Sequence, residues 1–409
     1  MDRPTQFDVI ISGGGMAGLT LALALGQSGL KVAAIDREAP AHQLDPVFDG
    51  RASAIALAGV RLFQGIGLWP HVAAHATPID DIRITDRNSL LHVHFDHRAL
   101  PAGQNAEPLG MMLENRHIRT GLQAALDACP QVTLFAPDSA LNVTRGPARV
   151  EVTLASGQRL QAPLIVGAEG RNSSLRETAG IPVHDFPYDQ IGIVVTAEHE
   201  KPHGNIAHER FLAGGPFAIL PISGNRSSIV WTERTATAKA LLSLDSRGFE
   251  AELQKRFGDF LGAVHVSGPR WSYPLTLHMV PRATDLRLAL IGDAAHGIHP
   301  IAGQGLNLGL KDVAALAEAI VDAARIGQDL GSPDVLARYE RWRRFDTVTL
   351  SFVTDLLNRL FMVEAAPLSL VRKLGLGLVN RLPAAKTLFM DHARGTMGDL
   401  PRLLRGEAL

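Results

Sequence analysis

Two separated segments carry residues whose types and spacing suit cofactor chemistry. The first is Phe7-Asp8-Val9-Ile10-Ile11-Ser12-Gly13-Gly14-Gly15-Met16-Ala17-Gly18. The second runs from Leu288-Ala289-Leu290-Ile291-Gly292-Asp293-Ala294-Ala295-His296 through His299-Pro300-Ile301-Ala302-Gly303-Gln304-Gly305-Leu306-Asn307. In the first, Gly13 permits a tight turn out of a strand. Gly15 lets backbone approach a pyrophosphate, and Gly18 lets a helix pack on the strand. The pyrophosphate would then face the helix N-terminus, where free N–H groups and the helix dipole favour negative charge. Asp36 follows Gly18 by 18 residues, where a carboxylate can accept both hydroxyls of an adenosine ribose. Arg37, next to it, joins the same cofactor-binding set.

That first unit does not distinguish a nicotinamide from a flavin dinucleotide. The second segment does. A buried strand over 288–291 ends in Gly292-Asp293, and Asp293 could hold a ribityl hydroxyl. A loop containing His299, Pro300 and Gly303 follows, then a helix opening at Gly305-Leu306-Asn307. Its N-terminus could stabilise negative charge on a reduced flavin edge by about 1 kcal/mol. A nicotinamide has no such need. Taken alone, Gly292-Asp293 could also be a strand-end turn.

Around these residues the pattern predicts the elements that position them. Val9–Ile11 is β-branched, as a buried parallel strand requires. Met16–Gln27 reads as an Ala/Leu-rich helix ended by Ser28-Gly29, and 31–36 reads as the second strand. A loop over 37–50, a helix over 52–66, a helix over 116–128, a strand over 132–135 and a hairpin over 150–161 follow. Residues 183–280 change to strand-like runs with a helical insert near 237–257. Helices are expected over 306–324 and from 333 to about 360.

The fold class is therefore α/β: a Rossmann-like cofactor domain, an inserted, mainly antiparallel sheet domain, and a helical C-terminus. The expected division is 1–75, 108–182 and 283–340 for the cofactor, 76–107 and 183–282 for the substrate, and 341–409 as the helical region. At 409 residues the chain can bury a large core.

Composition narrows the function classes. The formal net charge of -1 gives no basic field for nucleic acid. The 16 histidines are scattered, and no His/Cys cluster has metal spacing, so no metal is expected. Cys129 is the only cysteine, which excludes an intramolecular disulfide and suits a reducing, cytoplasmic setting. It is expected as a buried or semi-buried inert thiol. No run of about 20 uninterrupted apolar residues would span a membrane. Beyond Glu340, 11 Lys/Arg stand against 6 Asp/Glu. That region reads either as helices packed on the body or as a surface touching the inner face of a membrane or a biosynthetic complex. Self-association is left open.

The paired segments resemble the FAD-dependent aromatic hydroxylases with the para-hydroxybenzoate hydroxylase fold. That family's middle motif is matched by Val166-Gly167-Ala168-Glu169-Gly170-Arg171-Asn172-Ser173, with Glu169 where the family usually has Asp. More narrowly, Asp49-Gly50-Arg51-Ala52-Ser53-Ala54-Ile55-Ala56-Leu57, the stretch His299 to Val313, and Asp391-His392-Ala393-Arg394-Gly395-Thr396-Met397-Gly398 resemble the ubiquinone-biosynthesis hydroxylases. The likeness covers essentially the whole chain. It implies bound FAD, with NAD(P)H visiting the shared cleft transiently. It implies that Arg51 contacts FAD, that Asn115 lines the flavin side, and that Leu306 and Asn307 offer backbone N–H groups to the flavin. Pro300 would lie close to ring and substrate.

The implied reaction hydroxylates a polyprenylated phenol with NAD(P)H and O2 through a flavin C4a-hydroperoxide. His299 is the candidate phenol proton acceptor; its other reading is a structural histidine at a tight proline turn. Asn115 could instead be a helix N-cap. Two further functions stay in view. A hydroxylase of a small soluble aromatic acid would need an arginine such as Arg210 or Arg226 in the substrate sheet. A flavin-binding scaffold subunit would bind FAD without substrate-stimulated NAD(P)H oxidation.

Overall fold

Four consecutive buried residues, Val9–Ser12, form the central strand of a six-stranded sheet. Both its neighbours are parallel to it: Val32–Ile35 on one side and Leu164–Gly167 on the other. Val132–Phe135 and Leu288–Leu290 extend the parallel sheet outward. All but the outermost of these strands are continuous apolar or small runs because helices and a second sheet cover both faces. The computed structural model describes residues 3–45, 50–86, 92–100, 107–297, 304–343 and 383–409.

The helix Met16–Gln27 follows the glycine turn and is buried along most of its length. It packs in one core with Asn115–Asp127 and the long helix Gln304–Arg325. The opposite face of the parallel sheet packs on a four-stranded sheet over 5–6, 140–145, 150–154 and 159–162. Cys129 is buried and free, as expected.

The segment 183–280 forms most of an eight-stranded sheet. Its strands include His184–His199, Ile206–Leu212, Gly215–Ile222, Arg226–Arg234 and Val264–Met279, joined by Asp81–Asp86 and His92–Asp96. Helices Thr235–Leu242 and Ser246–Phe257 supply the predicted helical insert. They cover one face through Phe249, Leu253 and Phe257, which meet Phe217 and Trp231.

Several local expectations change. The helix expected over 52–66 is a strand, Ala52–Ala56, followed by a shorter helix, Leu57–Gly65. The strand exists because Gly110–Glu114 pairs with it in a three-stranded sheet completed by Thr77–Ile79. Alanine-rich sequence favours helix locally, and tertiary pairing overrides it. Among the described residues of the loop expected over 37–50 there is a short helical turn, Pro40–Gln43. The helix beginning at 333 is described as far as 343, and its predicted continuation lies outside the described residues.

The described C-terminal residues form helices Pro383–Arg394 and Arg402–Arg405. Leu403 and Leu404 are buried in the main core, and the Arg402 guanidinium meets Glu318 and Asp322 on the long helix. Gly395 packs behind Ala56 and Ala58. The motif 391–398 thus backs the strand that follows Arg51.

Candidate active site

The glycine turn is shaped by two collisions that a side chain would cause. Gly13 has a φ of 112°, and a Cβ there would strike the Ala168 carbonyl. A Cβ on Gly18 would strike the Gly13 carbonyl. Gly15 differs: a Cβ on it would meet nothing within 4 Å. Its backbone instead borders an open cleft of about 330 Å3. The middle glycine is free of packing demands, and the space beside it is what a pyrophosphate requires. Gly14, which the motif leaves unspecified, is held close to Asp36. A Cβ there would lie 2.7 Å from Asp36 Oδ2.

Asp36 sits at the end of the second strand. Its Oδ2 accepts from Gly14 N at 2.5 Å and its Oδ1 from Glu38 N at 2.7 Å. Each oxygen keeps a further lone pair for a ribose hydroxyl. A recess beside it is lined by Gly14, Asp36, Glu38, Gln43 and Arg119. Arg37 is exposed and does not line this recess. Arg119, which sequence reasoning passed over, does.

Asp293 is exposed within the turn Gly292–Ala294 and lines the same cavity as Gly15. Gly305 and Leu306 line it too, in the first turn of Gln304–Arg325. The first four N–H groups of a helix have no intrahelical partner. Two N–H-bearing helix starts, at Met16 and at Gly305, therefore border the cavity. The Asn307 side chain is spent elsewhere: Oδ1 accepts from Ala56 N at 2.8 Å, and Nδ2 donates to Ala54 O at 2.8 Å. These bonds pin the strand after Arg51 to the helix start.

Arg51 and Asn115 both line the cleft. Asn115 is the first residue of its helix, not the cap. Its buried side chain accepts from Ser53 Oγ at 2.7 Å. His299, Pro300 and Gly303 lie outside the described residues. Opposite the cofactor wall, the eight-stranded sheet contributes Val194, Leu220, Val230 and Tyr273. Tyr273 packs against Gly192, where a Cβ would come within 3.1 Å of its ring.

Two supporting networks were not legible from spacing. Asp312 is buried on the long helix. Its Oδ2 accepts from Gly292 N at 2.9 Å and lies 2.6 Å from His296 Nε2. Its Oδ1 accepts from Arg343 Nε at 2.6 Å. Burial alone would raise this carboxyl, but His296 and Arg343 outweigh burial and hold it below the ordinary carboxylate range. The second network centres on Glu169. Its carboxylate accepts from Ser12 Oγ at 2.8 Å, Ser173 Oγ at 2.7 Å, Ser174 Oγ at 3.0 Å and Leu175 N at 3.0 Å. The longer side chain that replaces the family's aspartate ties its own turn to the first strand.

The chain matches the family described as FAD binding domain over residues 6–347. It is 49% identical over 405 residues to ubiquinone hydroxylase UbiL of Rhodospirillum rubrum, covering 98% of this chain and 93% of that protein. The chain belongs to this family, in its ubiquinone-biosynthesis hydroxylase branch. It is an FAD-dependent monooxygenase. Its identity to 3-demethoxyubiquinol 3-hydroxylase of Escherichia coli is 35%, covering 96% of this chain and 99% of that one. Among solved structures, p-nitrophenol 4-monooxygenase PnpA from Pseudomonas putida superposes with a TM-score of 0.80 at 18% identity. That match covers 97% of this chain and all of the other, and it shows a shared fold.

FAD fits the monooxygenase's residues. The side-chain-free space at Gly15, the Asp293 carboxylate and the helix start at Gly305 share one cleft, and Asp36 lines a recess beside the same glycine turn.

Proposed function

We propose that this monooxygenase hydroxylates the ring of a polyprenylated phenol in ubiquinone biosynthesis, with NAD(P)H and O2 as co-substrates. The observation that carries the reading is the two-sided cleft: one wall built for a dinucleotide, the other an apolar sheet face of Val194, Leu220 and Val230. The names of its relatives support the substrate class. Bound FAD supplies the redox chemistry and oxygen activation. The chain's own residues bind, orient and exclude water. In this reading Gly13, Gly15, Gly18 and Asp36 hold the adenosine diphosphate half. Asp293, Arg51, Asn115 and the N–H groups at Gly305 to Asn307 hold the flavin half. Residues 1–75, 108–182 and 283–340 are the cofactor unit, and 76–107 with 183–282 are the substrate unit.

The soluble-acid alternative is less well supported. Arg210 donates to Arg256 O at 2.8 Å and lies over the Phe260 ring, on the helix-covered side of the sheet. Arg226 donates to Ser223 and lies 3.6 Å from Glu114. Neither guanidinium lines the cleft. The deciding experiment is anaerobic reduction of the purified flavoprotein by NADH and NADPH, with and without a prenylated phenol. Faster reduction with the prenylphenol supports the assignment. Stimulation by a soluble benzoate alone overturns it, and no stimulation by any phenol favours the scaffold reading.

Contact with a membrane surface is part of the same proposal. No helix among the described residues is long and apolar enough to cross a membrane. Leu388 and Phe389 are exposed on the helix Pro383–Arg394. Such residues can rest on a lipid surface and shorten the path of a greasy tail into the cleft. Co-sedimentation with anionic vesicles, lost on combining Leu388→Ser with Phe389→Ser, is the expected result.

A further inference from the structure

We propose that Glu209 takes the hydroxyl proton of the phenol substrate from the sheet side of the cleft. The proposal rests on the phenol reading above. Glu209 lies in the strand Ile206–Leu212, whose burial alternates strictly. Its outward neighbours His208 and Arg210 pack on Phe260. Its inward neighbours Ala207 and Phe211 are buried. A glutamate therefore occupies a position that the strand's period reserves for apolar residues.

Register places that position relative to the cleft. Val194 pairs with Val230, Val230 with Ala218, Ala218 with Glu209, Glu209 with Ile84, and Ile84 with Val93. Residues directly paired across strands share one face. Val194 and Val230 line the cleft, so Glu209 is on the cleft-facing side. It stands two strands from Val230, about 10 Å at ordinary strand spacing. The intervening residue on that row is Ala218, so only a methyl stands between Val230 and the carboxyl.

The group itself is unusual. Glu209 is 7% exposed, and among the described residues its carboxyl has no hydrogen-bond or ion-pair partner. Burial pushes it up to about 8. The other ionisable groups around this face are engaged or set apart. Asp86 pairs with Phe211 one step along the neighbouring strand and carries its own contact. Arg226 and Glu114 face each other near Ile222. Arg394, on the C-terminal helix, lies 3.7 Å from Glu107. The three-stranded sheet packed on this face brings Ala52, Ala54, Ile79 and Met112, all apolar.

As the ring carbon bonds to oxygen, the substrate O–H breaks and its proton passes to the Glu209 carboxylate. The ring oxygen becomes a carbonyl. When that ring carbon releases its own proton to water and aromaticity returns, Glu209 gives the proton back to the oxygen. O2 and NAD(P)H, the monooxygenase's own co-substrates, provide the oxygen atom and the electrons.

The test uses the holoenzyme with a geranyl-substituted phenol and its O-methyl ether. First, the hydroxylation rate with the phenol is followed against pH in the wild type. A rise through a group near 8 is expected; a rate that does not change through that range overturns the proposal. Second, in Glu209→Gln, hydroxylation should fall about a hundredfold or more, the range of a general base. Flavin content, O-methyl ether binding and phenol-stimulated NAD(P)H oxidation should be retained, with the reducing equivalents recovered as hydrogen peroxide. Glu209→Asp should restore part of the rate and the same pH limb. Wild-type product yield and pH profile in Glu209→Gln would overturn the role of Glu209 alone. Failure of any phenol to bind the wild type would instead remove the phenol reading beneath it.

Discussion

At the scale of single residues, the three glycines of the N-terminal motif do different work, and substitution should separate them. Gly13→Ala meets both a left-handed φ and the Ala168 carbonyl. It should lower the melting temperature of the flavin-free protein, by several degrees for a loss of about 1–3 kcal/mol. Gly15→Ala adds a methyl to open space. The flavin-free melting temperature should stay within a degree or two, while FAD affinity drops at least about tenfold, because the methyl enters the pyrophosphate's volume. Calorimetry of apoprotein and flavin titration read the two effects independently. The glycine spacing was legible from sequence; which glycine serves the fold and which the ligand was not, because that depends on Ala168, over 150 residues away. Glu209 was legible in principle, as a charge at an inward position of an alternating strand. Nothing local said that its side of the sheet faces a cleft.

At the scale of elements, the long helix Gln304–Arg325 acts as a clamp. Its Asn307 holds the strand Ala52–Ala56, and its Asp312 holds the turn at Gly292 with His296 and Arg343. Asn307→Ala takes this partner from the buried Ala56 N–H, at a cost of about 1–3 kcal/mol, and from the part-buried Ala54 carbonyl. A lower denaturation midpoint is expected, with weakened flavin binding because Arg51 immediately precedes the released strand. Asp312→Ala removes the buried carboxylate that faces both Arg343 and His296 and the acceptor of Gly292 N. Breaking a buried ion pair should cost about 3–5 kcal/mol, read as a large shift in urea midpoint. The helix itself was predictable from its period. The strand at 52–56 was not, since its alanines favour helix and only the partner strand Gly110–Glu114 and the Asn307 amide make it extended.

At the scale of the whole molecule, two buried carboxyls should shape stability against pH in opposite directions. Asp312 is held below the ordinary range in the folded state. Its contribution is present above the ordinary aspartate range and is lost as pH falls through the folded value. Glu209 is raised to about 8. From the ordinary glutamate range up to about 8, the folded state holds a proton that the unfolded state has released, so stability falls as pH rises through that window. Urea unfolding at a series of pH values should show this alkaline decline in the wild type and its loss in Glu209→Gln. Equal slopes in the two proteins would remove the claim.

The sequence by itself determined the cofactor class. Short-range geometry (a turn, a helix start, a carboxylate at a strand end) is written in consecutive residues, and the late motif could be matched to a family on the same terms. It also carried the periodicities that build the parallel sheet and the antiparallel one. Tertiary structure alone decided what faces what. It set Asp293 and Gly305 across a cleft from Val194 and Val230, turned Arg210 away and spent the Asn307 amide on a strand. It also put Glu209 on the same face of the eight-stranded sheet as Val194 and Val230. These are contacts between residues far apart in the chain, fixed by strand register and helix packing, and no local pattern of residue types encodes them.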